Sequence, residues 1–273
     1  MRGRHRPLGR DDGAMTLKQL LASRRHVVGG LLRMPAETLV ELAGVAGLDF
    51  VLIDCEHGPA DTLALQRHIV TAEAHGLAVL VRVGRDDPKL ILRALDLGAS
   101  GIVLPHVDTA AEAGRAVRAV CYPPLGERGV ATYTRAGRFG AVSLDEHLRR
   151  AADTVVVVAM LETRPACERV EEIIAVDGID AVMVGPTDLA ASLGLMGGGA
   201  EPEVRRLMAA VHQAASRADT PVMSILSDPL AAASAPPGFV VFNLADVLAA
   251  APDREPAPVL ERHRPSGAGD TAS

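Results

Sequence analysis

The sequence predicts an α/β fold, a (β/α)8 TIM barrel, from three observations. Eight short runs rich in Val, Ile and Leu recur along the chain, at 27–32, 50–54, 78–83, 101–105, 155–161, 181–185, 221–225 and 239–244. Helix-patterned stretches lie between or after them, at 36–46, 62–75, 88–97, 109–120, 165–175, 203–218 and 229–233. The runs are almost continuously apolar instead of alternating, the pattern of parallel strands covered on both faces. Repeated strand–helix units in a chain of 273 residues match the usual size of such a barrel. A doubly wound open sheet is the rival, and it normally carries a GxGxxG turn after an early strand. Neither Gly29-Gly30 nor Gly197-Gly198-Gly199 forms one.

Composition narrows the function classes. Apolar residues make up 48% and charged residues 23%, enough apolar material for one core. A formal charge of −6 argues against a nucleic-acid partner, and 2% aromatics without Trp argue against stacking platforms. No apolar run approaches the roughly 20 residues of a bilayer span, so no membrane partner is expected. Residues 1–16 are basic without an apolar stretch behind them and read as a flexible leader instead of a secretory signal. Residues 17–250 form the expected catalytic barrel, and the Pro-rich stretch 251–273 an expected disordered tail. Cys55, Cys121 and Cys167 are odd in number and form no CxxC pair, which points to a reducing, cytoplasmic setting.

Two connections are long. The first, 121–153, contains PPLGERG and TRAGRFG; the second, 190–202, contains GLMGGGAEP. Long loops in compact domains tend to be functional. The first is expected to close over substrate, with Arg128, Arg135 and Arg138 meeting an anionic substrate or a neighbouring subunit. A solvated basic loop is the alternative.

Barrel active sites are built at the C-terminal ends of strands. The second run delivers Asp54, Glu56 and His57 there, the third Arg82, the fourth Pro105-His106, the fifth Glu162, and the sixth Gly185-Pro186-Thr187-Asp188. Asp188 also suits a helix N-cap and Glu162 a helix start. Together they suggest one chemistry. Glu162 and Asp188 offer hard oxygen ligands for Mg²⁺ or Mn²⁺, with Co²⁺ a further option, leaving positions for a 2-oxo acid. Such a cation would polarise a keto oxygen and stabilise an enolate. Arg82 would add positive charge at that oxygen, and His57 would move protons with its imidazole oriented by Asp54. The segment Gly185-Pro186-Thr187-Asp188, at the start of a short helix, is expected to seat a substrate carboxylate on its backbone N–H groups. A Schiff-base route needs a lysine inside the barrel; the chain has only Lys18, before the first run, and Lys89, at a helix start. No organic cofactor is expected.

The stretches GLDFVLIDCEHGP, PPLGERG with TRAGRFG, LETRPACERVEEI and GIDAVMVGPTDLAASLG, in this order, resemble the HpcH/HpaI aldolase family of pyruvate-dependent class II aldolases. The resemblance runs from about residue 17 to residue 246. It implies a carbon–carbon lyase in which Glu162 and Asp188 hold the metal, His57 is the acid–base group supported by Asp54, and Arg82 assists enolate formation. It further implies 4-hydroxy-2-oxo acid, pyruvate and aldehyde as substrates, and a homo-oligomer, hexamer or trimer, with an exchanged C-terminal helix. The chain departs from the family at Met160, where Gln is common, at Leu244-Ala245-Asp246 in place of GSD, and near Ser224-Ile225, which lacks the usual glycine. Its short, Pro-rich C-terminal stretch predicts a reduced or missing exchanged helix. A citrate-synthase-like or decarboxylating relative is the alternative enzyme, and a catalytically silent barrel the alternative to an enzyme.

Overall fold

A computed structural model of the chain describes residues 15–23, 26–59, 61–195, 201–226 and 238–244. Its strands are β1 (Val27–Leu32), β2 (Phe50–Asp54), β3 (Ala78–Arg82), β4 (Gly101–Leu104), β5 (Val156–Leu161), β6 (Ala181–Val184), β7 (Val222–Leu226) and β8 (Phe239–Asn243). Each pairs in parallel with the next, and β8 returns to β1 to close the barrel. The expected α/β architecture is therefore the observed one, with strand ends within a residue or so of the sequence reading.

Among the described residues ten α-helices accompany them. They are α1 (Leu17–Ala22), α2 (Glu37–Val45), α3 (Thr62–Ala74), α4 (Pro88–Asp96), α5 (Ala110–Val120), α6 (Leu144–Thr154), α7 (Arg164–Glu168), α8 (Val170–Ile174), α9 (Pro186–Ser192) and α10 (Pro202–Arg217). Helix starts follow local chemistry: Asp61, Asp87, Thr109, Ser143 and Thr163 each accept an N–H of the first turn. The expected helix at 165–175 is broken into α7 and α8 at Arg169, whose φ −101° and ψ 15° leave the helical region. Two helices were not anticipated. The short α1 is secured by a capping box between Thr16 and Gln19, and α6 occupies the end of the connection read as a loop. The expected helix at 229–233, the glycines at 197–199, Ala245-Asp246, the leader up to residue 14 and the tail at 251–273 lie outside the described residues. Among the described residues no helix is long and apolar enough to cross a membrane.

The core has two layers, and strand alternation sorts residues between them. In β2, Phe50 and Leu52 face the barrel axis with Leu80, Val103, Val158, Met160, Met183 and Phe239. Val51 and Ile53 face the helices with Val79, Val81, Val157 and Leu161. Both sides are buried, which is why the runs read as continuously apolar. The same parity carries Asp54, Arg82 and Glu162 onto the axial side at the C-terminal rim, two residues beyond Leu52, Leu80 and Met160.

Gly29 makes room for the axial layer. A Cβ there would lie 2.3 Å from the Phe50 ring, which is fully buried and tilted against Phe239 at 5.1 Å. Gly29→Ala is expected to lower stability by about 1–3 kcal/mol through overpacking. Urea unfolding would show this, and an unchanged midpoint would mean the axial layer is looser than described.

Candidate active site

Asp54 and Arg82 are register partners at the ends of β2 and β3. The guanidinium grips the carboxylate with two bonds, Nε to Oδ1 at 3.0 Å and Nη2 to Oδ2 at 2.5 Å. Both side chains are buried. Asp54 Oδ1 also accepts the backbone N–H groups of Glu56 and His57, each at 3.2 Å, so the carboxylate shapes the turn that follows its strand. Gly58 completes that turn, because a Cβ there would meet the Asp54 carbonyl oxygen at 2.1 Å. Arg33, after β1, brings a second guanidinium within 3.5 Å of Asp54 Oδ2.

Beside this pair lies a group of carboxylates. Glu56 Oε2 is 3.5 Å from Arg82 Nε and 3.7 Å from the exposed His57 ring; it is buried and has no hydrogen-bond partner. Glu162, on the short stretch after β5, is 2% exposed. Its Oε2 accepts the His106 backbone N–H at 2.8 Å and lies 3.1 Å from His106 Nδ1. Gly185 packs so closely that a Cβ would stand 2.9 Å from Glu162 Oε1. Asp188 stands in the first turn of α9, near enough for its charge to act on Glu162.

The two halves of the site are electrostatically opposite. Burial alone would raise the Asp54 carboxyl, but the bonds and charge of Arg82 and the N–H groups of His57 and Glu56 outweigh it and hold it below the usual range. Burial also raises Glu162; the His106 N–H and ring oppose this, the Asp188 and Glu56 carboxylates reinforce it, and Glu162 ends above its usual range. One acid is thus satisfied and the other short of positive charge. A divalent cation held by Glu162 and Asp188 would meet that deficit. Among the described residues no three His, Cys, Asp or Glu side chains converge as a ligand set. A cation held by Glu162 and Asp188 would therefore keep positions for water or substrate oxygens.

Residues 32–235 match the HpcH/HpaI aldolase/citrate lyase family. The chain belongs to that family. It is 38% identical over 200 residues to a pyruvate aldolase of Rhizobium etli, covering 73% of this chain and 77% of the relative. It is 40% identical over 191 residues to a hydroxypyruvate/pyruvate aldolase of Sagittula stellata, covering 69% and 74%. The crystal structure of an HpcH/HpaI aldolase from Desulfitobacterium hafniense superposes with a TM-score of 0.80 at 31% identity, covering 87% of this chain and 94% of that one. This family member is a carbon–carbon lyase of the aldolase type.

Three details of the aldolase differ from the sequence reading. Asp54 does not orient the His57 imidazole: its oxygens serve Arg82 and the backbone, and the ring stands beside Glu56 instead. Gly185 and Pro186 do not supply N–H groups to a carboxylate, because Gly185 donates to Leu161 O at 3.1 Å and proline has none. That leaves Thr187 and Asp188. Third, the connection 121–153 does not close over the rim. It runs from a helix to a strand, which places it at the N-terminal end of the barrel. There Arg128 is buried with Nη2 2.8 Å from Asp96 Oδ1 and its guanidinium over the Tyr122 ring, and Arg135 pairs with Glu73. Arg128, Arg135 and Arg138 line a cavity of about 920 Å³ with Gly47, His75 and Gly98, residues at the ends of helices away from the chemistry. The solvated-loop alternative fails for Arg128 as well, since it is 5% exposed.

The site also contains residues that sequence reasoning passed over. His106 ends the fourth apolar run and Arg33 follows the first, and neither position carries a sequence signal of its role. Met160 proves to be the floor beneath Arg82, its sulfur 3.9 Å from Nη1. A thioether is a weak acceptor, so this nitrogen keeps most of its donor capacity.

Arg82→Gln is expected to cost about 3–5 kcal/mol at neutral pH, because it strands a buried carboxylate. In the native chain the depressed Asp54 carboxyl contributes stability above its unfolded pKa, lost as pH falls through the lower folded value. In the variant burial is opposed only by the Glu56 and His57 N–H groups and by Arg33, the carboxyl rises, and the deficit should shrink as pH is lowered from about 7 to about 5. Denaturant titrations at several pH values would check this, and a pH-independent deficit would exclude Asp54 as its source.

Proposed function

We propose that this chain is a divalent-metal-dependent aldolase that cleaves or forms 4-hydroxy-2-oxo acids through a pyruvate enolate, with Mg²⁺ or Mn²⁺ held by Glu162 and Asp188. The observation that carries this reading is the buried Glu162 carboxylate, raised by burial and by neighbouring carboxylates, beside an arginine already committed to Asp54. When bound, the cation supplies a Lewis acid for the 2-oxo group. In the cleavage direction His57 takes the proton of the 4-hydroxyl group. The C3–C4 bond breaks, the hydroxyl carbon leaves as an aldehyde, and the electron pair passes into the enolate of pyruvate. Arg82 Nη1, which lies 3.9 Å from the Met160 sulfur, can donate to the enolate oxygen. Protonation at C3 completes pyruvate, and the N–H groups of Thr187 and Asp188 meet its carboxylate. Glu56 Oε2 lies 3.7 Å from His57 Nε2, beside the ring that moves the proton.

Neither lysine stands where a Schiff base could form on the axis. Lys18, on α1, binds Asp180 at 2.9 Å and Val155 O at 3.2 Å, and Lys89 is the second residue of α4. The reading extends to a homo-oligomer, trimer or hexamer, in a reducing, cytoplasmic setting. Exposed Tyr133 and Phe139 support the first and three free thiols the second.

Deuterium exchange into the pyruvate methyl group, followed by NMR, is the direct test. It should require Mg²⁺ or Mn²⁺ and stop with a chelator; absence of exchange with any divalent metal would sink the enolate reading. In calorimetry, Glu162→Ala and Asp188→Ala should each abolish Mn²⁺ binding. His57→Ala should keep the metal and lose about 10²–10⁴-fold in retro-aldol rate; full turnover would remove His57 from the mechanism.

A further inference from the structure

By alternation His106 belongs on the helix side of the barrel. Val103 faces the axis and Leu104 the helices, so a strand continued two residues further would send the 106 side chain outward. It points inward because its backbone is left-handed, with φ +54°. L-residues avoid that conformation, although His, Asn and Asp enter it more often than others. The turn delivers two groups to one atom: the main-chain N–H at 2.8 Å and ring Nδ1 at 3.1 Å, both on Glu162 Oε2. The other ring nitrogen lies 3.8 Å from Glu56 Oε1. On the far side of the carboxylate, Gly185 leaves no room for a Cβ beside Oε1.

We propose that His106 is the positioning residue of the Glu162 carboxylate: backbone and ring of one left-handed residue grip Oε2 and leave Oε1 as the oxygen offered to a cation. This rests on the metal reading above. Ring Nδ1, 3.1 Å away, is the second nitrogen facing that oxygen, and groups that orient a ligating carboxylate tune metal affinity without touching the metal. The ring also joins Glu162 to Glu56, so a single side chain sets the spacing between the cation-holding acid and the acid beside His57.

Mn²⁺ titration of the substrate-free protein, followed by electron paramagnetic resonance, tests this beside thermal unfolding. His106→Asn keeps a side-chain N–H donor and tolerates the left-handed backbone, His106→Ala keeps neither, and His106→Gly relaxes the backbone without a donor. The Asn variant should bind Mn²⁺ close to wild type, whereas Ala and Gly should weaken binding about 10–100-fold, although Gly unfolds no earlier than Ala. A lowered unfolding midpoint with unchanged Mn²⁺ affinity in the folded Ala and Gly variants would mean a purely structural residue and overturn the proposal. Equal loss in Asn and Ala would overturn it too, since a replacement donor would then not suffice. Glu162→Ala separates the two readings. If it loses Mn²⁺ while every His106 variant retains it, only the positioning role fails; if it retains Mn²⁺, the metal assignment fails and takes the positioning role with it.

Discussion

A carboxylate on the barrel axis must be neutralised where it stands, and Asp54 is neutralised from across the ladder by Arg82. Much of the rim follows from that one pairing. The guanidinium is held flat by two bonds, which fixes where its remaining nitrogen points. The same carboxylate collects the N–H groups of Glu56 and His57, so the turn carrying both of those side chains is folded around it. Losing the pair would therefore disturb a cation, a turn and a histidine together, although only two residues meet.

The second acidic group is organised on a different basis. Glu162 is buried as deeply as Asp54 but is met by the backbone N–H and the ring of His106 and by the repulsion of Asp188 and Glu56. Fold comparison alone would not distinguish an active member of this family from an inert one, because function resides in the site. The contrast between a satisfied acid at the end of β2 and an unsatisfied one just after β5, both on the axial side of one rim, is what gives this barrel a chemical direction.

Most of the architecture was legible in the chain because both faces of each strand are covered, and unbroken apolar runs are the direct result. The rim was legible for the same reason: Asp54, Arg82 and Glu162 continue the axial parity of the residues two positions earlier. His106 was not, since its inward course depends on a left-handed turn that cancels the alternation. The partner of Asp54 was misassigned because sequence proximity favours His57, while the sheet register brings Arg82, 28 residues away, into contact. The 121–153 connection was misplaced because its length and arginines suggested a lid, whereas its position between a helix and a strand consigns it to the other end. Arg169, which splits a helix with no proline or glycine at the break, has no account in the sequence.

Arg128 and Arg135 fasten the long connection to α4 and α3 at the pole of the barrel opposite Glu162. The side chains that lock the chain shut and those that meet substrate thus share almost no neighbours. Changes at such separated sites combine nearly independently. A lineage built on this plan can exchange rim residues as it meets new aldehydes, drawing on a reserve of stability kept at the far end and untouched by the experiment.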